Sequence, residues 1–360
     1  MRSSVSNFDF CRATHLPAHA DRSPNPMPFL DYHLPSDLIA QQPAAERDRS
    51  RLLVVRRADA TLEHRVFADL PGLLAPGDLV VLNDTRVLLA RLIGRRERTG
   101  GRWEGLFLAE HGGVWEMLCQ TRGTLTVGEA VMVEDLRLIY VGRTPDRNFL
   151  FRPEPSAPAV ELLAHVGRVP LPPYIRKGVA ATADAERYQT VFAHTPGSVA
   201  APTAGLHFTP AVLDRLRERN ITTAFVTLHV GLGTFQPLQH DDPAKHVMHA
   251  EWCELSQPTA DAIAACRARG GRVVAVGTTA VRTLETARGL PFRGPTSLYI
   301  HEPYTFTIVD AMVTNFHLPR TSLLLLVGAF AGDELLRRTY EVAVADRYRF
   351  YSYGDAMLIL

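Results

Sequence analysis

The chain has 360 residues, of which 46% are hydrophobic and 21% charged, and a formal net charge of +1. This length supplies two domains and a sizeable core. The composition excludes wholesale disorder, and the near-neutral balance excludes a strongly basic nucleic-acid coat while leaving room for a local basic face. Cys11, Cys119, Cys253 and Cys266 are scattered with no CxxC pair, so neither a disulfide framework nor a cysteine zinc site is indicated, and a reducing cytoplasm is expected. The longest apolar run, Leu323 to Ala331, is less than half of the roughly 20 residues that a membrane span needs, which argues for a buried segment and no membrane partner.

Residues 1–26 lack the continuous apolar core of a secretory signal and carry Arg2, Arg12, Asp21, Arg22 and three prolines. They are expected to be a disordered extension, or translation starts at Met27. Leu34-Pro35-Ser36-Asp37 predicts a short capped helix, DLIAQQ, stopped by Pro43. RLLVVRR and HRVF read as strands, and the turn Pro76-Gly77-Asp78 feeds LVVLNDTRVLLARL, a buried strand interrupted by Asn83-Asp84-Thr85-Arg86. Polar residues there either cap the strand or mark a site. Asp84 and Arg86, costly to bury unpaired, favour the site.

Residues 89–158 break into short alternating runs separated by glycine turns, the pattern of a small barrel-like all-β domain inserted between 27–88 and 159–360. Within it, the stretch from Arg91 to Arg102 carries Arg91, Arg95, Arg96, Arg98 and Arg102 against one acid, Glu97. Such a hairpin either grips phosphates or presents a charged edge that blocks strand pairing. Beyond it, VELLAHVG predicts a helix and GRVPLPPYIRK an extended run. Tyr188 to Phe208 is a long, weakly charged loop, a kind uncommon in compact domains unless functional. It ends at Thr209-Pro210, an N-cap followed by proline at the first helical position, so His207 sits ahead of a helix start that favours an anion.

Helices over Ala211–Arg219, Thr259–Arg269 and Ala280–Arg288 then alternate with strands over Ile221–Val230 and Arg272–Val276. Strands near Ser297–His301, Tyr304–Val309 and Ala311–Phe316 follow. An apolar helix from Ser322, an amphipathic one over Asp333–Asp346 and the strand AMLIL close the chain. The fold class expected is an α/β main domain with a mixed sheet, open or barrel-like, plus the inserted β domain.

Gly231-Leu232-Gly233 follows a strand but lacks the third glycine of a dinucleotide loop, and Pro237 opposes an immediate helix, so Gly231 and Gly233 suit a tight turn or close ligand approach. Gly277-Thr278-Thr279 joins a strand to a helix and suits a carboxylate or phosphate. Arg282 and Glu285, three apart on that helix, would share a face and either serve the site or form a surface ion pair. His246-x-x-His249 has no HExxH or paired cysteines beside it, so no metal is expected.

HTPGSVAAPTAGLHFT, LHVGLGTFQPL, VGTTAVRTLE, YTFTIVDAMVTNFHLPRTSLLLLVGAF and YSYGDAML, with DYHLPSDLIAQQPAAERDRSRLLVV and LNDTRVLLARL near the start, resemble the S-adenosylmethionine:tRNA ribosyltransferase-isomerases of queuosine biosynthesis. The resemblance runs from about Phe29 to Leu360. It implies transfer and isomerisation of the ribosyl group of S-adenosylmethionine onto 7-aminomethyl-7-deazaguanine in the tRNA wobble position, giving epoxyqueuosine with release of adenine and methionine. Partners would be tRNA and S-adenosylmethionine, with no further cofactor and no metal, in a cytoplasmic monomer. Such chemistry needs a base beside the sulfonium, an acid for adenine and an aromatic or carboxylate neighbour for the positive charge. The candidates are His207 and His229 for proton transfer, Asp84 and Glu251 for cationic groups, and Tyr174 and Phe208 for stacking. Thr278, Thr279 and Arg282 would hold the methionine carboxylate, with Gly231 and Gly233 close by. Arg95, Arg96 and Arg98, with Arg320 and His317, would contact RNA. The readings left beside it are an S-adenosylmethionine-dependent RNA methyltransferase and a non-enzymatic RNA-binding protein.

Overall fold

The computed structural model describes residues 31–231 and 248–360, in two compact units. The proposed extension, Gly233 and His246 lie outside the described residues.

The larger unit comprises residues 31–85, 190–195 and 201–360. It is built on an open nine-stranded mixed sheet, ordered Phe292–Thr296, Glu251–Leu255, Thr222–Leu228, Leu79–Asn83, Val273–Val276, Ala311–Asn315, Ala356–Ile359, Arg51–Arg56, Thr61–Val66. The four strands from Thr222–Leu228 to Ala311–Asn315 are mutually parallel. Their sequences are nearly continuous apolar runs because both faces are covered. Leu79, Val81, Val273, Ala275 and Met312 enter one core with the helices Gln257–Ala268, Thr278–Ala287, Ser322–Ala331 and Asp333–Ala345. Val80, Leu82, Val274, Val276 and Val313 enter the other, against Val212 and Leu216 of the helix Pro210–Glu218. Thr209 caps that helix as its sequence requires, accepting from the Val212 N–H at 3.2 Å.

The second unit, residues 86–189 and 196–200, holds a closed antiparallel six-stranded barrel, ordered Phe149–Glu154, Val114–Thr121, Arg102–His111, Arg91–Arg96, Ala130–Val133, Leu136–Arg143. Closure removes the exposed edges of so small a sheet. Trp103 and Trp115 fill the barrel, edge-on to Phe151 at 5.5 Å and to Phe107 at 5.2 Å.

Three local expectations are corrected. Ser36–Leu38 is a single 3-10 turn rather than a helix, because Leu38 and Ala40 bond the backbone of Phe350 in a bridge. Segments 297–301 and 304–309 form no strand. The N–H groups of Thr307, Ile308 and Val309 are taken by the Glu285 carboxylate at 2.9–3.2 Å, so no ladder is needed to satisfy them. The sheet edge is made instead by Glu251–Leu255 and Phe292–Thr296.

Candidate active site

All four central parallel strands end on the same side, where open α/β sheets bind ligands. Asn83, at the end of its strand, ties that edge together. Its Nδ2 donates to the Leu228 carbonyl at 3.0 Å and to Thr279 Oγ1 at 3.1 Å, while its Oδ1 accepts from the N–H groups of Thr85 and Leu228 at 3.1 Å. The polar interruption after LVVL thus acts first as a strand cap.

Beyond the strand ends lies a cavity of about 40 Å³. The end of the uncharged connector, Ala201 to Ala204, lines it together with Gly277-Thr278-Thr279, Val230 and Asn315 to His317. Two segments singled out from sequence therefore meet at one site. Gly277 adopts φ +87°, a conformation open to glycine, and a Cβ there would sit 3.5 Å from the Ala204 Cβ. The helix that follows aims its first free N–H groups at this edge. Asn315 is buried. Its Nδ2 contacts the Tyr351 carbonyl at 3.0 Å and His207 Nε2 at 3.3 Å, and its Oδ1 has no partner among the described residues. A buried acceptor without a donor is costly in a finished protein and expects one from a ligand or water.

His207 does not face an open site. Its Nδ1 is 2.7 Å from Ser50 Oγ, its ring stacks on Phe67 at 5.0 Å, and burial pushes its pKa down to about 4. With Asn315 Nδ2 donating to Nε2, the neutral ring donates from Nδ1 to Ser50, so His207 orients the Asn315 amide. His229 differs. It is half-buried, stacked on Trp252 at 5.1 Å, with Nδ1 2.8 Å from Thr85 Oγ1. Burial lowers its pKa, opposed by the nearby Asp84, so it is neutral near pH 7. The tautomer that donates from Nδ1 leaves Nε2 as a base. Asp84 accepts from Thr227 Oγ1 at 2.6 Å.

Thr278 and Thr279 line the cavity. Arg282 pairs with Glu251 and donates from Nε to the Leu298 carbonyl at 3.0 Å, its buried Nη2 has no hydrogen-bond partner among the described residues, and it does not pair with Glu285. Glu251 also accepts the Gly231 N–H at 2.7 Å, so that this carboxylate holds the backbone just past the end of the strand Thr222–Leu228. Phe208 is core, edge-on to Phe67 and Phe192. Tyr174 belongs to the barrel-bearing unit. His317 lines the cavity. Its Nε2 is 2.8 Å from Thr314 Oγ1 and burial lowers its pKa to about 3, so it offers no positive charge to a phosphate. Arg320 pairs with Asp31 at 3.6 Å. In the barrel, Arg95 and Arg98 are exposed, but Arg96 is buried against Glu129 at 2.6 Å. Among the described residues no three His, Cys, Asp or Glu side chains gather as a metal would require, and no helix is long and apolar enough to cross a membrane.

Sequence reasoning missed Asn315, Tyr351, Ser352 and Trp252. The signal for Asn315 was present, since an asparagine ends the apolar strand AMVTN just as one ends LVVLN.

Comparison with known proteins adds an independent finding. A family model described as "Queuosine biosynthesis protein" matches residues 28–359. An S-adenosylmethionine:tRNA ribosyltransferase-isomerase of Symbiobacterium thermophilum is 48% identical over 92% of this chain and 98% of its own. One from Azoarcus sp. is 52% identical over 92% and 96%. The crystal structure of an S-adenosylmethionine tRNA ribosyltransferase from Thermotoga maritima covers 92% of this chain and all of its own, with a TM-score of 0.53 at 36% identity.

Proposed function

The chain belongs to the queuosine biosynthesis protein family, and on that premise we propose that it transfers and isomerises the ribosyl group of S-adenosylmethionine onto 7-aminomethyl-7-deazaguanine in tRNA, working as a cytoplasmic monomer without a metal. The observation that carries the placement of the reaction is the meeting of the connector, the Gly277-Thr278-Thr279 corner and Asn315, with its unpartnered Oδ1, at one cavity. At about 40 Å³ the cavity has room for a water or two. A small-molecule pocket takes roughly 300 Å³ or more. In this reading the cavity is therefore the floor of the site, and most of the cofactor lies above it.

The helix N-terminus at Thr278 suits the methionine carboxylate, and Asn315 Oδ1 suits an N–H of the amino group or of adenine. His229 is the base that removes a proton from the 5′ carbon, which the sulfonium acidifies. Trp252, stacked on His229, gives the sulfonium a π face. Asp84 holds the cationic end of that exchange. His207 acts through Asn315 and is a positioning residue rather than the base. The deazaguanine aminomethyl nitrogen then bonds the ribosyl group and loses a proton, adenine takes up a proton as its glycosidic bond breaks, and methionine leaves as the neutral thioether as the sulfonium C–S bond breaks.

Incubation with S-adenosylmethionine labelled in both the adenine and ribose parts, together with tRNA bearing the precursor, tests this. Free adenine and ribose label on tRNA are expected. S-adenosylhomocysteine would mean methyl transfer, and binding of tRNA without turnover a carrier.

A further inference from the structure

The larger unit carries a second, more open concavity of about 360 Å³, whose charged lining comes from two short segments. Arg49 and Arg51 come from one, Arg347 and Arg349 from the other, with Glu46 and Asp355 as the acids lining it among the described residues. We propose that this groove grips the phosphate backbone of the RNA substrate, a role resting on the tRNA reading above.

The groove is built rather than accidental. Asp355, almost fully buried, accepts from the backbone N–H of Arg51 at 3.1 Å and of Arg349 at 2.8 Å, and from the Arg349 guanidinium at 3.0 Å. One carboxylate thus clamps both arginine-bearing segments. Arg51 is held flat over the Tyr348 ring at 3.6 Å, with Nη1 on the Asp346 carbonyl at 2.7 Å. Arg49 and Arg347 remain the movable cations. Arg49 faces Glu46 at 3.4 Å with both side chains more than two-thirds exposed, and Arg347 faces Asp37 in a similarly exposed pair. Pairs of this kind contribute little in water, so phosphate oxygens can displace them. None of the large exposed apolar side chains of the described residues lies in the groove, whereas an interfacial membrane site inserts such groups. The turn that carries Arg347 and Arg349 continues into Tyr351 and Ser352, which line the cofactor cavity. RNA held in the groove is thereby coupled through one short turn to the reaction site.

The test measures binding of a labelled anticodon stem-loop carrying the deazaguanine precursor, as a function of salt, to the full chain and to the double variant Arg49→Gln/Arg347→Gln. The expected result is a dissociation constant raised at least ~10-fold near physiological salt, with the salt slope shallower by about 1–2. S-adenosylmethionine affinity and the thermal midpoint should be unchanged, because both residues are exposed. An unaltered slope and affinity in the variant, with normal binding by the parent chain, overturns the groove alone. The same loss confined to Arg95→Gln/Arg98→Gln in the barrel would also overturn it. Failure of the parent chain to bind the stem-loop overturns the tRNA reading and the groove together.

Discussion

Arg96 in the barrel and Asn315 at the edge of the main sheet are about equally buried, yet they end differently. Every nitrogen of Arg96 is used. Two bonds go to Glu129 at 2.6 and 2.8 Å and one each to the carbonyls of Arg122 and Thr124 at 2.7 and 3.0 Å. The Arg96 guanidinium holds the Glu129 carboxyl down at about 2. Asn315 spends its amide on two neighbours and leaves its oxygen without one, beside a cavity. A fully satisfied buried ion closes a fold, whereas a half-satisfied amide keeps an acceptor that can take a donor from a ligand. Basic residues in the barrel hairpin divide along the same line, with Arg91 and Arg96 as internal struts and Arg95 and Arg98 on the surface.

The largest expected effect falls on His229. Replacing it with Gln should lower turnover by about 10²–10⁴-fold, the usual contribution of a general base, while calorimetric affinity for S-adenosylmethionine stays within about threefold. Because burial depresses its pKa, the acid limb of kcat/KM should lie below 6.5. Asp84→Asn should move that limb lower still, since the Asp84 charge raises the pKa. A limb that does not move would remove Asp84 from the exchange.

Arg96→Met comes next and should destabilise the barrel by roughly 1–3 kcal/mol in urea unfolding, because the buried Glu129 would keep only the exposed Arg98 at 3.6 Å and the Thr126 N–H and hydroxyl as partners. Pairing it with Glu129→Leu should recover much of that loss. At the other pole of the comparison, Asn315→Leu should weaken S-adenosylmethionine binding by about 1–3 kcal/mol and, by removing the Nδ2 bonds to His207 and Tyr351, cost stability as well. Stability lost with binding unchanged would make Asn315 a strut like Arg96.

Acid sensitivity gives the smallest and most continuous contrast. His207 and His317 have folded pKa values of about 4 and about 3, below their ordinary 6.5. As pH falls below 6.5 the unfolded chain takes up protons that the folded unit refuses, so the main unit loses stability from there down towards the folded values. Glu129 is also depressed, from 4.5 to about 2, so its stabilisation persists to lower pH and is lost only between those values. Hydrogen exchange near pH 5 should therefore show the main sheet losing protection before the barrel, and the reverse order would contradict these assignments.

Much of this was legible in the chain because the signals were local. Apolar runs bounded by turns gave the parallel strands, Thr209-Pro210 gave its helix, and glycine-spaced alternation gave the barrel. Long blocks around GTTAVRTLE and NFHLPRT gave the family. Failures came where a long-range partner decided the outcome. Nothing near Glu285 in sequence shows that its carboxylate will bind three backbone N–H groups about 22 residues away. Nor does anything near Arg282 show that it will pair with Glu251. His207 was marked by its place before a helix, but its partners Ser50 and Asn315 lie more than 100 residues off on either side. Position marks it as a proton-transfer candidate, whereas these distant partners give it a bond to the Asn315 amide.

Hydrogen exchange of the full chain with and without S-adenosylmethionine tests the central claim most directly, by asking which segments the cofactor covers. The account predicts added protection at Gly277–Thr283 and at Asn315–His317, and none in the barrel strands between Arg91 and Glu154. Protection confined to the barrel, with the strand ends of the main sheet unaffected, would contradict it.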